Sequence, residues 1–250
     1  MSEKSSTFAA AKVFECCMTI LCIETSTNIC SAAVCVDGVP VDERISREGG
    51  NHAKLLPSFV EQLLRSAAEQ HRSIEAVAVS AGPGSYTGLR IGTSTAKGLC
   101  YGLQVPLVSV PTLQILSAAA IAAHTVDSDG ILCPMLDARR MEVYTALYDS
   151  ALKPLTEVRA VVVENEQSLS DRDATTYYFG DGAAKCAHLL PEPQWHYIAD
   201  VIPEAKHMGV LAEKLLAEGQ SMTAAQMAYY EPFYLKEFVA AQSHVKGLKS

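Results

Sequence analysis

The stretch AGPGSYTGLRIGTSTAKGL, residues 81–99, decides the fold of this chain because its glycines join a buried strand to a helix. The strand is AVAVS, residues 76–80, and the helix follows the last part of the glycine loop. A loop of this kind can point backbone N–H groups at an anion. Its spacing matches neither the P-loop, which needs Lys-Ser/Thr after the last glycine, nor the Rossmann motif G-x-G-x-x-G. The sequence therefore argues against a phosphate site here.

Close packing explains these glycines better than phosphate binding does. Gly84, Gly88, Gly92, Ala96 and Cys100 recur every four residues, so they line one face of a helix. Small side chains at this spacing let another backbone approach closely. A glycine inside a helix costs ~1 kcal/mol relative to alanine, which close packing has to offset. We expect the packing to be against a neighbouring helix of the chain or against the helix of a partner protein.

Composition and charge limit the classes of function that the chain can have. The chain has 250 residues, 49% hydrophobic and 19% charged, which is enough for one large domain or two small ones. Its net charge is −8 and its Lys and Arg residues form no cluster, which argues against direct binding to nucleic acid. The eight cysteines form no C-x-x-C pair and lie mostly in apolar runs, which predicts reduced, buried thiols. No run approaches the ~18 apolar residues of a membrane span, so we expect none.

The order of elements predicts two lobes. Residues 19–46 read as a three-stranded meander, followed by a helix over 51–72 with Asn51 as its N-cap and by the strand and helix of the glycine stretch. A second block repeats strands first and helices after, with strands around DARR (137–140) and a turn at GDGA (180–183). This predicts a two-lobed α/β chain. We expect a disordered extension (1–17), a first lobe (18–117) completed by part of the C-terminal segment, a second lobe (118–238) and a flexible tail (239–250).

Seven segments, in order, resemble the TsaB (YeaZ) family: ILCIETST, SAAV, AGPGSYTGLRIGTSTAKGL, VSVPTLQILS, DARRMEVY, GDGA and EPFYLK. The resemblance implies an actin/hexokinase-like ATPase (ASKHA) fold with mixed sheets flanked by helices, and a cytoplasmic protein. It also implies a dimerisation subunit that binds the catalytic paralogue TsaD, joined by the ATPase TsaE. That complex transfers threonylcarbamoyl to N6 of the adenosine next to the anticodon, so the chain would meet tRNA only through the complex.

The resemblance also implies a partner interface. In the family, the helix at 51–72 and the helix at 87–102 pack against the equivalent helices of TsaD. This agrees with the small-residue face and with an apolar stripe on the first helix that is wide for a helix lying on one sheet. The predicted interface residues are Leu56, Phe59, Val60, Leu63, Tyr86, Gly88, Arg90, Gly92, Thr95 and Ala96.

The sequence departs from the catalytic relative at the metal site. TsaD carries an H-x-x-x-H pair, and Thr112 and Leu116 stand at the matching positions here. Leucine cannot bind a metal, and one threonine makes no site. None of the seven histidines forms an H-x-x-x-H or H-E-x-x-H pair. We therefore predict no metal, no catalytic residue and no enzyme activity for the chain by itself.

Two loops match the superfamily's nucleotide loops only in part. ETSTN, with Thr25, Ser26 and Thr27, stands at the first phosphate loop, and Gly180, Asp181 and Gly182 stand at the adenosine loop. Inherited turns without a ligand are the favoured interpretation, since Thr, Ser and Gly satisfy turn geometry alone. ATP or ADP, in this cleft or at the interface with a partner, is the alternative.

Three further interpretations stay open. The charged residues of the DARR stretch, Asp137, Arg139, Arg140 and Glu142, suit a polar turn with ion pairs or a contact with an anionic group of a partner. The whole chain could instead be an ATP-binding small kinase or transferase that acts alone. Its glycine-faced helix could also pair with a second copy to give a homodimer.

Overall fold

A computed structural model of the chain describes residues 17–124 and 126–236. The predicted disordered extension, apart from Cys17, and the predicted tail at 239–250 lie outside the described residues. The first lobe is built on a five-stranded sheet in which an antiparallel meander is extended by two parallel strands. Its strands, in chain order, are β1 (Thr19–Glu24), β2 (Cys30–Val36), β3 (Val39–Ser46), β4 (Ala76–Ser80) and β5 (Leu107–Val110), and their order in the sheet is β3-β2-β1-β4-β5.

Helices cover both faces of this sheet because successive residues of β1 point to opposite sides. Leu21 and Ile23 belong to the core under α1 (His52–Glu69) and α2 (Tyr86–Leu103). Ile20 and Cys22 belong to the core on the other face, with the 3-10 helix Ala205–Met208 and α4 (Gly209–Ala217). The short helix α5 (Ala224–Tyr229) lies beside α2, where the Lys97 ammonium donates to the Ala228 carbonyl oxygen (3.1 Å).

The second lobe repeats the plan of the first. Its sheet also joins an antiparallel meander to two parallel strands, in the order β10-β9-β6-β7-β8. The strands are β6 (Ile131–Asp137), β7 (Glu142–Thr145), β8 (Arg159–Val162), β9 (Thr176–Phe179) and β10 (Trp195–Ile198). The predicted two-lobed architecture with mixed sheets and flanking helices is confirmed. The sequence analysis missed β10, because four residues with only Trp195 and Ile198 buried carry too little apolar pattern.

Helix α3 (Thr112–Ala123) lies between the lobes and contributes to both cores. Ile115 packs into the core of the first sheet, whereas Leu113 and Leu116 pack into the core of the second. One almost wholly apolar helix can serve two sheets because it is buried on several sides. Six of the seven described cysteines are buried and none is in a disulfide, as the apolar sequence context predicts.

An ion-pair network fixes the segment that returns from the second lobe to the first. The buried Glu204 carboxylate binds Arg47 (2.6 Å) and Lys206 (2.5 Å), and Lys206 also lies 3.5 Å from Glu43 on β3. Hydrogen bonding by His207, followed by Lys206 and the charge of Arg47, lowers the pKa of Glu204 to about 2. The returning 3-10 helix is therefore tied to the edge strand of the first sheet by charge as well as by packing.

Candidate functional site between the two lobes

A cleft of about 540 Å³ separates the two lobes, and both of them line it. The first lobe contributes the β1–β2 turn and the start of α2, and the second contributes the β6–β7 turn and the turn after β9. Ser26 and Thr27, predicted as remnants of a nucleotide loop, line the cleft, as does Asp181. Thr25 does not line it, because its side chain is buried beneath α2.

The glycine face of α2 packs on the β1–β2 turn of the same chain. The Thr25 hydroxyl donates to the Gly88 carbonyl oxygen (2.8 Å), and the Ser85 N–H donates to the Ser26 carbonyl oxygen (2.6 Å). A methyl group added at Gly88 or Gly92 would overlap Thr25, closer than any real Cβ contact. Gly84 meets Ser26 in the same way. The glycines therefore make room for this turn.

This packing corrects part of the predicted interface. Gly88, Gly92 and Ala96 are buried within the chain, and so are three residues of α1 that pack on the same sheet. A buried side chain cannot contact a partner while the fold stays as it is, so these positions are not interface residues. The residues corrected in this way are Leu56, Val60, Leu63, Gly88, Gly92 and Ala96.

The outer surfaces of α1 and α2 carry the remaining predicted interface residues. Phe59 and Thr95 are half-buried, and Arg90 is exposed, with its guanidinium bonded to the Tyr86 hydroxyl (3.0 Å). Tyr86 itself faces the cleft. Two glycines that the predicted interface did not include, Gly98 and Gly102, have nothing within 4 Å of an added Cβ.

One stripe of α2 ends in two exposed glycines. Ile91, Thr95, Gly98 and Gly102 follow one another at four-, three- and four-residue spacing, so they share one side of the helix. We call these four residues the α2 stripe. Lys97 bonds α5 on another side of the helix, and a Cβ added at Gly98 or Gly102 meets nothing within 4 Å. Sequence spacing alone could not separate this stripe from the buried glycine face, since both repeat at helical intervals.

The second lobe closes its side of the cleft with two packed turns. Gly180 has a φ of +105°, and an added Cβ there would overlap the Met135 carbonyl oxygen, so this turn needs glycine. Asp181 accepts a hydrogen bond from the Asp137 N–H (2.8 Å), and burial raises the pKa of its carboxyl. Gly182 packs against Leu136. The GDG turn thus joins β9 to the end of β6.

The DARR turn brings charge to the cleft. Asp137 pairs with Lys185, and Arg139 lines the cleft. Arg139 and Arg140 both adopt positive φ, 72° and 53°, which is uncommon for residues other than glycine. The predicted polar turn with ion pairs is confirmed for Asp137 and also for Glu142, whose partner the sequence analysis did not foresee.

The ion-pair partner of Glu142 belongs to a C-terminal segment, residues 231–236. This segment crosses from the first lobe to the second. The Phe233 N–H donates to the Ala81 carbonyl oxygen (2.7 Å) in the glycine loop, and the Tyr234 ring lies 4.8 Å from that of Tyr86. Lys236 then pairs with Glu142 at the start of β7. This segment lines the cleft alongside both lobes. The sequence marked EPFYLK as a family motif but gave no sign of where it lies.

The positions that match the metal pair of TsaD do not suit a metal. The Thr112 hydroxyl accepts a hydrogen bond from the Gly82 N–H (3.2 Å), and Leu116 is fully buried in the core of the second lobe. Across residues 17–124 and 126–236, no group of three or more His, Cys, Asp or Glu side chains could hold a metal ion. We also find no helix in this part of the chain that is long and apolar enough to cross a membrane.

Two duplicated sheets around one cleft place the molecule in the two-lobed actin/hexokinase-like class. A family model described as "TsaD: tRNA N6-adenosine threonylcarbamoyltransferase" matches residues 45–243. The chain belongs to the TsaB family. It is 30% identical over 239 residues to "tRNA threonylcarbamoyladenosine biosynthesis protein TsaB" of Escherichia coli, covering 89% of this chain and 96% of that protein.

Two further relatives agree. The protein of the same name from Bacillus subtilis is 28% identical over 243 residues, covering 93% of this chain and 99% of the relative. A solved structure titled "YeaZ from Pseudomonas aeruginosa" superposes with a TM-score of 0.72 at 27% identity, covering 87% of this chain and 100% of the other. The similarity therefore extends over both lobes.

Proposed function

We propose that this chain is a non-catalytic scaffold in the biosynthesis of threonylcarbamoyladenosine in tRNA. It binds a TsaD-like paralogue and supports transfer of threonylcarbamoyl to N6 of the adenosine next to the anticodon. The observation that carries the proposal is family membership combined with the loss of metal-binding side chains at Thr112 and Leu116. A TsaE-like ATPase completes the assembly, and tRNA is reached through it in the cytoplasm.

The partner surface in this proposal is the outer side of α1 and α2. The α2 stripe offers small side chains and open space at Gly98 and Gly102, which suits close approach of a second helix. Half-buried apolar side chains of both helices, among them Phe59 and Leu99, flank it. Apolar atoms with a small-residue stripe between them are typical of a helix-packing surface. A second copy of the chain is the alternative occupant when the partner is absent.

Leucine substitutions test this surface. Gly98→Leu places a bulky side chain in open space on the stripe and should weaken co-elution with the TsaD-like paralogue by at least about tenfold in affinity. Lys214→Leu is the matched control, because it adds an exposed leucine to α4 on the opposite face of the same sheet. Equal binding by both variants would rule out the stripe as the interface. Gly92→Leu is unsuitable, because it would clash with Thr25 inside the chain.

Reconstitution tests the function itself. The chain, the paralogue and the ATPase are combined with tRNA, and each protein is omitted in turn. We expect modification to stop when this chain is left out and to return when it is added back. Full modification without it would overturn the scaffold role.

We also propose that the cleft holds no resident nucleotide. Residues 231–236 cross it, the Thr25 hydroxyl is committed to Gly88, and the carboxyl groups of Asp137 and Asp181 line it. Carboxylates beside a polyphosphate are unfavourable unless cations intervene. Calorimetric titration with Mg-ATP tests this, and binding tighter than about 100 μM would favour the small-kinase alternative.

A further inference from the structure

A buried carboxyl group with an unsatisfied oxygen ends the central strand of the first sheet. Glu24 is fully buried, and its Oε1 accepts a hydrogen bond from the Ser26 N–H (2.6 Å). Its Oε2 is buried with no hydrogen-bond partner among the described residues. The hydroxyl oxygens of Ser26 and of Ser80, at the end of the adjacent strand β4, are buried and unsatisfied as well. Three polar oxygens thus lack partners within one small region.

A proton on Glu24 relieves this arrangement. When Glu24 is neutral, Oε2 carries a hydrogen and can donate it to a neighbouring serine hydroxyl. When Glu24 is ionised, a full charge is buried away from water, which is costly even though the Ser26 N–H donates to it. Burial accordingly raises the pKa of Glu24 from 4.5 to about 7, although the Ser26 N–H and the nearby serine hydroxyls oppose the rise. Both protonation states are therefore populated near neutral pH.

The turn that Glu24 anchors is the one on which α2 rests. Glu24 binds the backbone of Ser26, and the Ser26 carbonyl oxygen in turn accepts from the Ser85 N–H at the N-cap of α2. Thr25, between them, fits against Gly88 and Gly92 so closely that no methyl group can be added there. Because this contact is so tight, a displacement of residues 25–26 would also displace the first turns of α2.

Several other titratable groups lie near the turn. On β2, burial first and the charge of Glu24 second raise the pKa of the Cys30 thiol to about 11, so it stays neutral. On α1, the His52 ring donates to the Ile29 carbonyl oxygen (3.1 Å) in the same turn. Across the cleft lie the carboxyl groups of Asp137 and Asp181, and the cations Arg139 and Lys236 line it with them. Glu24 is the one among these that contacts residues 25–26 directly.

We infer that Glu24 and residues 25–26 form a proton-operated latch that holds the N-terminal turns of α2. When Glu24 is protonated, the latch holds these turns in place. When Glu24 is ionised, the latch holds them less firmly. The latch is a property of the isolated chain. The latch has the consequence that affinity for a partner bound at α2 falls as the pH rises through neutrality. This consequence rests on the proposed function.

Hydrogen exchange of the full chain tests the latch. After correction for intrinsic exchange rates, protection of the amides at residues 86–92 should fall roughly tenfold between pH 6 and 8. Glu24→Gln keeps the shape, cannot ionise and should show a flat profile. Glu75→Gln is the matched control, because Glu75 accepts from the Thr19 N–H (2.9 Å) at the other end of β1. The Glu75→Gln variant should show the same fall in protection between pH 6 and 8 as wild type.

Several results would decide against the latch. Parallel pH profiles for wild type and Glu24→Gln would overturn it. If Glu24→Gln does not fold, carbon-13 titration of the wild-type glutamates replaces it, and a Glu24 midpoint near the ordinary value of 4.5 would overturn the inference. A third result is that the fall in protection with pH disappears in Glu24→Gln while the affinity of wild type for the partner does not change with pH. That result supports the latch and counts against the proposed interface.

Discussion

Alanine substitutions at two glycines of α2 separate the buried glycine face from the open α2 stripe. Gly88→Ala would push a methyl group into the Thr25 carbonyl oxygen, a backbone atom that cannot rotate away. Overpacking of this kind costs about 1–3 kcal/mol. Gly98→Ala meets nothing within 4 Å and replaces an exposed helix glycine. The gain in helix propensity there is about 0.5–1 kcal/mol.

Thermal and urea unfolding, followed by circular dichroism, measure both effects. For a chain of this size, 1 kcal/mol moves the Tm by about 2–4 °C. We expect Gly88→Ala to lower the Tm by about 6 °C and Gly98→Ala to raise it by about 2 °C. The two variants carry the same change in composition on the same helix. A difference in sign between their Tm shifts therefore reflects only the surroundings of each glycine.

Two outcomes would refute this reasoning. Wild-type stability of Gly88→Ala would mean that the β1–β2 turn does not press on α2. A marked loss of stability in Gly98→Ala would mean that another surface already covers the stripe in the isolated chain. Sedimentation of that variant would then show whether a second copy of the chain covers it.

Further predictions concern the contacts that join the lobes. Glu204→Gln should lower the free energy of unfolding at pH 7 by about 2 kcal/mol, because it leaves Arg47 and Lys206 without their carboxylate. The folded pKa of Glu204 lies below its ordinary value, so its contribution is present above pH 4.5 and is lost as pH falls to about 2. Acid unfolding of wild type should show this loss, and the variant should not. Tyr234→Ala should cost about 1 kcal/mol by removing the ring contact with Tyr86, and faster exchange at residues 231–236 would report release of the segment. Lys236→Met should cost under about 0.5 kcal/mol, because its partly exposed ion pair is screened by water, and a larger loss in urea unfolding would contradict this.

The two-lobed plan was predictable because it rests on local patterns. The β-meander, the glycine loop and the wide apolar stripe of α1 are each visible within about 30 residues of sequence. The four-residue repeat of small residues likewise predicted close packing on α2. It did not predict the packing partner, since the repeat is the same whether the neighbour is a turn of the same chain or a helix of another.

Long-range contacts account for what the sequence could not predict. Residues 231–236 lie about 150 positions from the glycine loop they bind, and Glu204 lies 157 from Arg47. Glu24 shows the same limit. The family resemblance only placed it in the ETSTN turn, whereas its raised pKa follows from burial beneath elements that come together only in three dimensions.

The sequence by itself therefore determined the lobes and the family, and it put Thr112 and Leu116 where the resemblance implies a metal pair in TsaD, because these depend on residue identity and short spacing. Only the tertiary structure decided that the glycines of α2 enclose Thr25, that Gly98 and Gly102 face open space, and that a C-terminal segment spans the cleft. The physical reason is that burial, and with it the energy of each polar or small side chain, is set by neighbours far away in the chain.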